Sequence, residues 1–183
     1  MHGMPDGDGK PIRKTLMLRR LVITAAAVAN LLFFDQAAKV AAVSFLKGHP
    51  PRVVIDGFFN LAYVENRGCA WGMLQGHVWP LAIFAFFALG VMVWKRKSIF
   101  PPGGWGASAE VMLYAGVIGN LVDRLSRGCV VDMFDFHWGV HHFPVFNVAD
   151  SFITVAAAIL IAHGLFAKSG SPKRMDGECD DEA

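Results

Sequence analysis

Four long apolar segments run through this chain, at about residues 21–46, 78–94, 107–122 and 149–167, and they carry very few charges. A helix rises about 1.5 Å per residue and the hydrocarbon core of a bilayer is about 30 Å thick, so these runs are sized to cross or nearly cross a membrane. Inside lipid each backbone polar group has to find its partner within the segment, which makes the helix the expected conformation for all four. With 54% hydrophobic residues in a chain of 183, the composition is also too apolar for an ordinary soluble domain. The expectation is a membrane all-α fold, a four-helix transmembrane bundle.

The charges outside the four segments orient them. Lys10, Arg13, Lys14, Arg19 and Arg20 precede the first, Lys95, Arg96 and Lys97 follow the second, and Lys168, Lys173 and Arg174 follow the fourth. The positive-inside rule puts all three clusters in the cytoplasm, which an even number of crossings satisfies without conflict. Residues 1–18 then read as a disordered cytoplasmic tail, 19–168 as the four-span domain, and 169–183 as a second cytoplasmic tail. A cleavable signal peptide is the rival reading of the N-terminus, but no small-x-small site follows the first apolar run. The net charge of +2 points to no nucleic-acid partner.

Between the first two spans, residues 52–76 lack a helical period. Val53-Val54-Ile55 and Phe59-Asn60-Leu61-Ala62-Tyr63-Val64 are β-branched and aromatic, and predict short strands on the membrane surface. Asn66 to Gly72 predicts a turn whose glycines, Gly68 and Gly72, allow close backbone approach. Cys69, Cys129 and Cys179 make no disulfide framework; free thiols are expected, with a Cys69–Cys129 bridge geometrically conceivable. His137, His141 and His142 match no strong zinc spacing, and no metal is expected.

The informative residues are the polar ones at the span ends. Asp35 and Lys39 are four apart on one helix face and can pair. Counting from the basic cluster, Asp35 lies about 22 Å along the first span and Asn120 about 21 Å along the third, while Asp150 opens the fourth at its outer end. Charged and amide groups from three helices therefore fall at one depth, and ionisable residues so placed demand a reason. Asp132 and Asp150, if they share a pocket, cannot both stay ionised: at about 4 Å and an effective dielectric of about 20 they repel by about 4 kcal/mol. Such a pair holds one proton, and can activate water with its carboxylate while protonating a carbonyl with its acid. Read as helix caps, the same two aspartates would be structural; Asp150-Ser151 before an apolar run suits that role too. Arg124 offers a planar donor fork, Asn120 and Asn147 can orient a peptide or the aspartates, and Asp123 can pair with Arg127.

Five pieces, Asp35-Gln36-Ala37-Ala38-Lys39, Asn66-x-Gly68-x-Ala70-Trp71-Gly72, Gly119-Asn120-Leu121-Val122-Asp123-Arg124, Val131-Asp132 and Phe143-Pro144-x-Phe146-Asn147-x-Ala149-Asp150-Ser151, stand in order along the chain. In this the sequence resembles the lipoprotein signal peptidase (signal peptidase II) family of bacterial inner-membrane aspartyl peptidases. The resemblance implies a catalytic dyad of Asp132 and Asp150, and substrate-binding or supporting roles for Asn66, Gly68, Asn120, Asp123, Arg124 and Asn147. It implies that Asp35 and Lys39 form a structural pair, and that a small extracytoplasmic β-sheet platform and a periplasmic loop or helix cover the site. The implied substrate is a prolipoprotein carrying diacylglyceryl on its lipobox cysteine, cleaved just before that cysteine without a cofactor. Membrane lipids, globomycin-type peptide inhibitors, a monomeric state, cytoplasmic termini and a site facing the periplasm are implied as well. Two residues depart from the family pattern: Trp71 stands where Phe is usual and Cys69 where a small residue is usual. A proton-coupled transporter is the main alternative, but inverted repeats and polar residues at mid-bilayer are lacking. A non-catalytic membrane assembly subunit is the other.

Overall fold

The computed structural model describes residues 10–69 and 73–169, with side chains described from Lys14 to Phe166 outside the gap. Trp71, Cys179 and residues 170–183 of the expected C-terminal tail lie outside the described residues. Helix α1 runs Lys10–Phe45, α2 Val78–Trp94, the single turn α3 Arg96–Ile99, α4 Gly104–Arg127 and α5 Val148–Ser169. The second span coincides with α2 as expected. Helix α1 as described already includes Lys10 to Leu18, inside the stretch expected to be tail, since no Gly or Pro stands between Pro11 and the apolar run.

Two of these helices, over Lys14–Phe45 and Val148–Phe166, are long and apolar enough to cross a membrane; α2 is apolar but shorter. Large apolar side chains such as Phe33, Phe34, Phe86, Phe87, Ile161 and Phe166 are more than half exposed on them. Water does not tolerate apolar surface on this scale on a monomer, whereas lipid does.

Helix α4 is the centre of the assembly and packs against α1, α2 and α5. Its small residues make this possible. A Cβ on Gly116 would stand 2.5 Å from the Ala149 carbonyl oxygen, and one on Gly119 would stand 2.5 Å from Asp35 Oδ2. Backbone approach this close is what small-residue faces provide between helices.

The sheet differs from the expectation. Strands β1, Arg52–Ile55, and β2, Phe59–Asn66, form where predicted, but they are joined by β3, Val130–Trp138, and β4, His141–His142, in the antiparallel order β1-β2-β3-β4. Helix α4 also runs a turn further than expected, to Arg127, so Asp123 and Arg124 are helical; it stops at Gly128, whose φ of 69° reverses the chain into β3. The sequence of β3 carries no clean alternation because it is covered on both sides: Val130 to Met133 are all buried. A cluster of Phe59, Phe134, Phe136, Phe143 and Phe146 fastens β2, β3 and the segment before α5 together.

Candidate active site

The segment leading into α5 is pinned to β3 by backbone bonds: Met133 and Phe134 N–H groups donate to the Phe146 carbonyl at 3.0 and 2.9 Å, and Phe146 N–H returns a bond to Phe134 O at 3.2 Å. Asn147 is thereby set beside Asp132, and α5 starts immediately after. The Asn147 carboxamide oxygen accepts the Asp150 N–H at 3.0 Å while Asp150 Oδ2 accepts the Asn147 N–H at 3.3 Å. This reciprocal arrangement is a capping box with Asn147 as cap, so Asp150 does serve a helix end, yet its other oxygen is left for a different partner.

That partner is Asn120, whose Nδ2 donates to Asp150 Oδ1 at 2.7 Å. Asp132 receives Asn147 Nδ2 on Oδ1 at 2.6 Å and Asn66 Nδ2 on Oδ2 at 3.0 Å. Asn147 Nδ2 also reaches Asn120 Oδ1 at 3.2 Å, which links the two carboxyl groups through two amides. Asn66 Oδ1 accepts the Gly68 N–H at 2.9 Å, and Arg124 Nη2 donates to the Gly68 carbonyl at 3.2 Å, tying the turn after β2 over the site. The cradle thus gathers Asn66, Gly68, Asn120, Arg124, Asp132, Asn147 and Asp150 from β2, α4, β3 and α5. Asp132 is pushed up to about 7, first by burial and then by the charge of Asp150, against the lowering effect of its two asparagine donors.

Both aspartates open onto one cleft of about 990 Å³, whose far wall is the apolar face of α2 with Pro80, Leu81, Phe84 and Ala88. Sequence reasoning missed this wall, since an apolar residue facing a cleft reads like one facing lipid. Cys69 lines the same cleft; Cys129 is buried, and both are free thiols, so no bridge joins them.

Asp35, Lys39 and Asp123 lie behind the cradle and are fully buried. Lys39 Nζ meets Asp35 Oδ2 at 2.9 Å, Asp123 Oδ2 at 3.0 Å and Asn120 Oδ1 at 3.0 Å. Asp35 does more than pair: its Oδ1 accepts the Ala149 N–H at 2.8 Å, one of the free donors at the start of α5. Asp123 pairs with Arg127 and accepts the Val131 N–H at 3.2 Å. Gln36, which the sequence did not single out on its own, donates to Asp35 and Asp123 and accepts from Arg127. The histidines sit apart, at the tip of the sheet, where His142 bonds Asp135 at 2.8 Å and stacks on His137.

A family model described as signal peptidase (SPase) II matches residues 27–166. The chain belongs to the signal peptidase II family. Among its relatives, the lipoprotein signal peptidase of Aeromonas hydrophila is 42% identical over 135 residues, covering 71% of this chain and 80% of that protein. The lipoprotein signal peptidase of Vibrio cholerae is 35% identical over 163 residues, covering 87% and 91%, and that of Desulforapulum autotrophicum 35% over 159 residues, covering 84% and 96%. A solved bacterial membrane enzyme superposes with a TM-score of 0.75 at 29% identity over 83% of this chain and 93% of its own, and a second with 0.64 at 29% over 78% and 92%. Signal peptidase II membership makes this chain a membrane peptidase, and its matched region spans every residue of the cradle.

Proposed function

We propose that this chain is an aspartic endopeptidase that removes signal peptides from diacylglyceryl-modified prolipoproteins, cutting before the lipidated cysteine. The supporting observation is that Asp132 and Asp150, from different elements, line one cleft and are held by a shared pair of asparagines. The pair shares one proton; in the mechanism proposed, Asp132, raised by burial and by the charge of Asp150, carries it and Asp150 is the carboxylate. A water between them gives a proton to Asp150 as its oxygen attacks the scissile carbonyl carbon, while Asp132 protonates the carbonyl oxygen. Collapse of the tetrahedral intermediate breaks the C–N bond: the proton on Asp150 passes to the amine of the lipidated cysteine, and one hydroxyl of the gem-diol returns its proton to Asp132. Arg124, Asn66 and the Gly68 turn hold the substrate backbone, and closure of that turn excludes bulk water.

Helices α1, α2, α4 and α5 cross the bacterial inner membrane, with both termini cytoplasmic and the cleft at the periplasmic interface. This depth suits a substrate whose acyl chains stay in the outer leaflet. The chain works as a monomer, and a globomycin-type cyclic peptide occupies the same cleft. The deciding experiment is turnover of diacylglyceryl-modified precursor in detergent. Asp132→Asn and Asp150→Asn each abolish cleavage while the protein stays folded; residual cleavage by both variants would refute the dyad. Addition of EDTA leaves the wild-type rate unchanged, and a loss restored by zinc would point to metal chemistry instead.

A further inference from the structure

Lys39, on α1, is fully buried behind the carboxyl pair, and its ion-pair and hydrogen-bond partners include neither aspartate of the cleft. Its ammonium has three hydrogens and three acceptors: Asp35 Oδ2 at 2.9 Å, Asp123 Oδ2 at 3.0 Å and Asn120 Oδ1 at 3.0 Å. A structural pair would account for the first contact alone. The third has a directional consequence. An ammonium only donates, so the Asn120 carboxamide has to present its oxygen to Lys39. Its Nδ2 then faces the other way, and there it donates to Asp150 Oδ1 at 2.7 Å. The same oxygen takes Asn147 Nδ2 at 3.2 Å, and Asn147 Nδ2 is the donor to Asp132 at 2.6 Å. Polarity therefore runs in one sense from a single buried cation to both carboxyl groups. Without it, the Asn120 amide can rotate by half a turn and turn its oxygen toward a carboxylate.

We infer that Lys39 is a positioning residue for the reaction: through the Asn120 amide it fixes the donor that holds Asp150 and the orientation of Asn147 beside Asp132. This rests on the dyad reading above and deepens it. The charge balance explains why a lysine is needed. Asp35 and Asp123 bring two negative charges into the buried network, and Lys39 with Arg127 brings two positive ones. Lys39 alone among these cations is fully buried and reaches the site asparagine.

The test compares Asp35→Asn with the double variant Asp35→Asn/Lys39→Gln, so that only Lys39 differs between them and no lone acid of that pair is stranded. Asp35→Asn keeps an oxygen for the Ala149 N–H but sets its amide Nδ2 where Oδ2 accepted from Lys39, so Lys39 keeps Asp123 and Asn120 as acceptors, and the kcat of this variant, whatever its drop from wild type, is the reference for the double variant. In the double variant kcat on lipidated precursor falls at least about tenfold with KM held, since misplacement of a reacting group is lost from the transition state. Its alkaline limb also moves to higher pH than that of Asp35→Asn, because a positive charge near Asp132 is gone. Equal kcat and coincident pH profiles in two folded variants would overturn the inference. Should the double variant not fold, Lys39→Arg in the wild-type background, which keeps the charge, is read the same way: loss of kcat at constant KM supports positioning, and a rise in KM at constant kcat overturns it. Asp132→Asn tests the dyad separately, so an inactive Asp132→Asn beside a fully active double variant sinks only the role of Lys39.

Discussion

Asp132 sits in β3, almost fully buried, with two asparagine donors and a neighbouring carboxyl group. Its position near 7 has a consequence for stability as well as for catalysis. A carboxyl that titrates at 3.8 when unfolded and at about 7 when folded binds its proton more tightly in the native state. Stability is therefore undiminished below pH 3.8, declines as pH rises through that window, and reaches its full loss above 7; at 1.36 kcal/mol per pH unit the decline is roughly 4 kcal/mol. Asp132→Asn keeps the shape and removes the titration. It is thus expected to melt at a higher temperature than wild type at pH 8 and at the same temperature near pH 4, by thermal unfolding in detergent. A variant no more stable than wild type at pH 8 contradicts the assignment. On the proposed dyad the same group sets the rate: an acid form that is lost above 7 makes turnover fall as pH rises through that value, read from kcat/KM against pH.

At the level of elements, the glycines of α4 decide whether the cradle closes. Gly119→Ala places a Cβ 2.5 Å from Asp35 Oδ2 and 3.3 Å from Ala149 Cβ, so α1 and the start of α5 have to move apart. The expected cost is about 1–3 kcal/mol, with lost activity. Gly90→Ala on α2 meets nothing within 4 Å and is the control, expected to be neutral or to stabilise by up to about 1 kcal/mol. Thermal unfolding of both variants checks the contrast; equal melting would mean the close approach carries no weight. The helices were legible in the sequence because apolar length survives any packing arrangement, and β1 and β2 because their β-branched and aromatic residues show no helical period. Strand β3 was not, since Val130 to Met133 are covered on both faces and read as a linker. The site was legible at its polar members, whose presence beside membrane-length segments had no cheaper explanation. It was not legible on α2, nor at Gln36, whose four bonds depend on α1 and α4 meeting.

For the whole molecule, the orientation is testable with the native thiols. Cys69 lines the cleft and Cys129 is buried beneath the sheet, where burial pushes its thiol up. An impermeant maleimide added to the periplasmic side of intact cells is expected to label Cys69, whereas Cys129 reacts only after denaturation. Protection of Cys69 from outside together with labelling in inverted vesicles would reverse the topology.

The carboxylate of Asp35, near the beginning of the chain, waits for the N–H of Ala149, near its end. Synthesis proceeds from one to the other, so a growing polypeptide possesses Asn66, Asn120 and Asp132 before Asn147 and Asp150 emerge. A peptidase assembled in this order has no cutting power while it is still being inserted. It becomes competent in one step, when the last helix docks against the first.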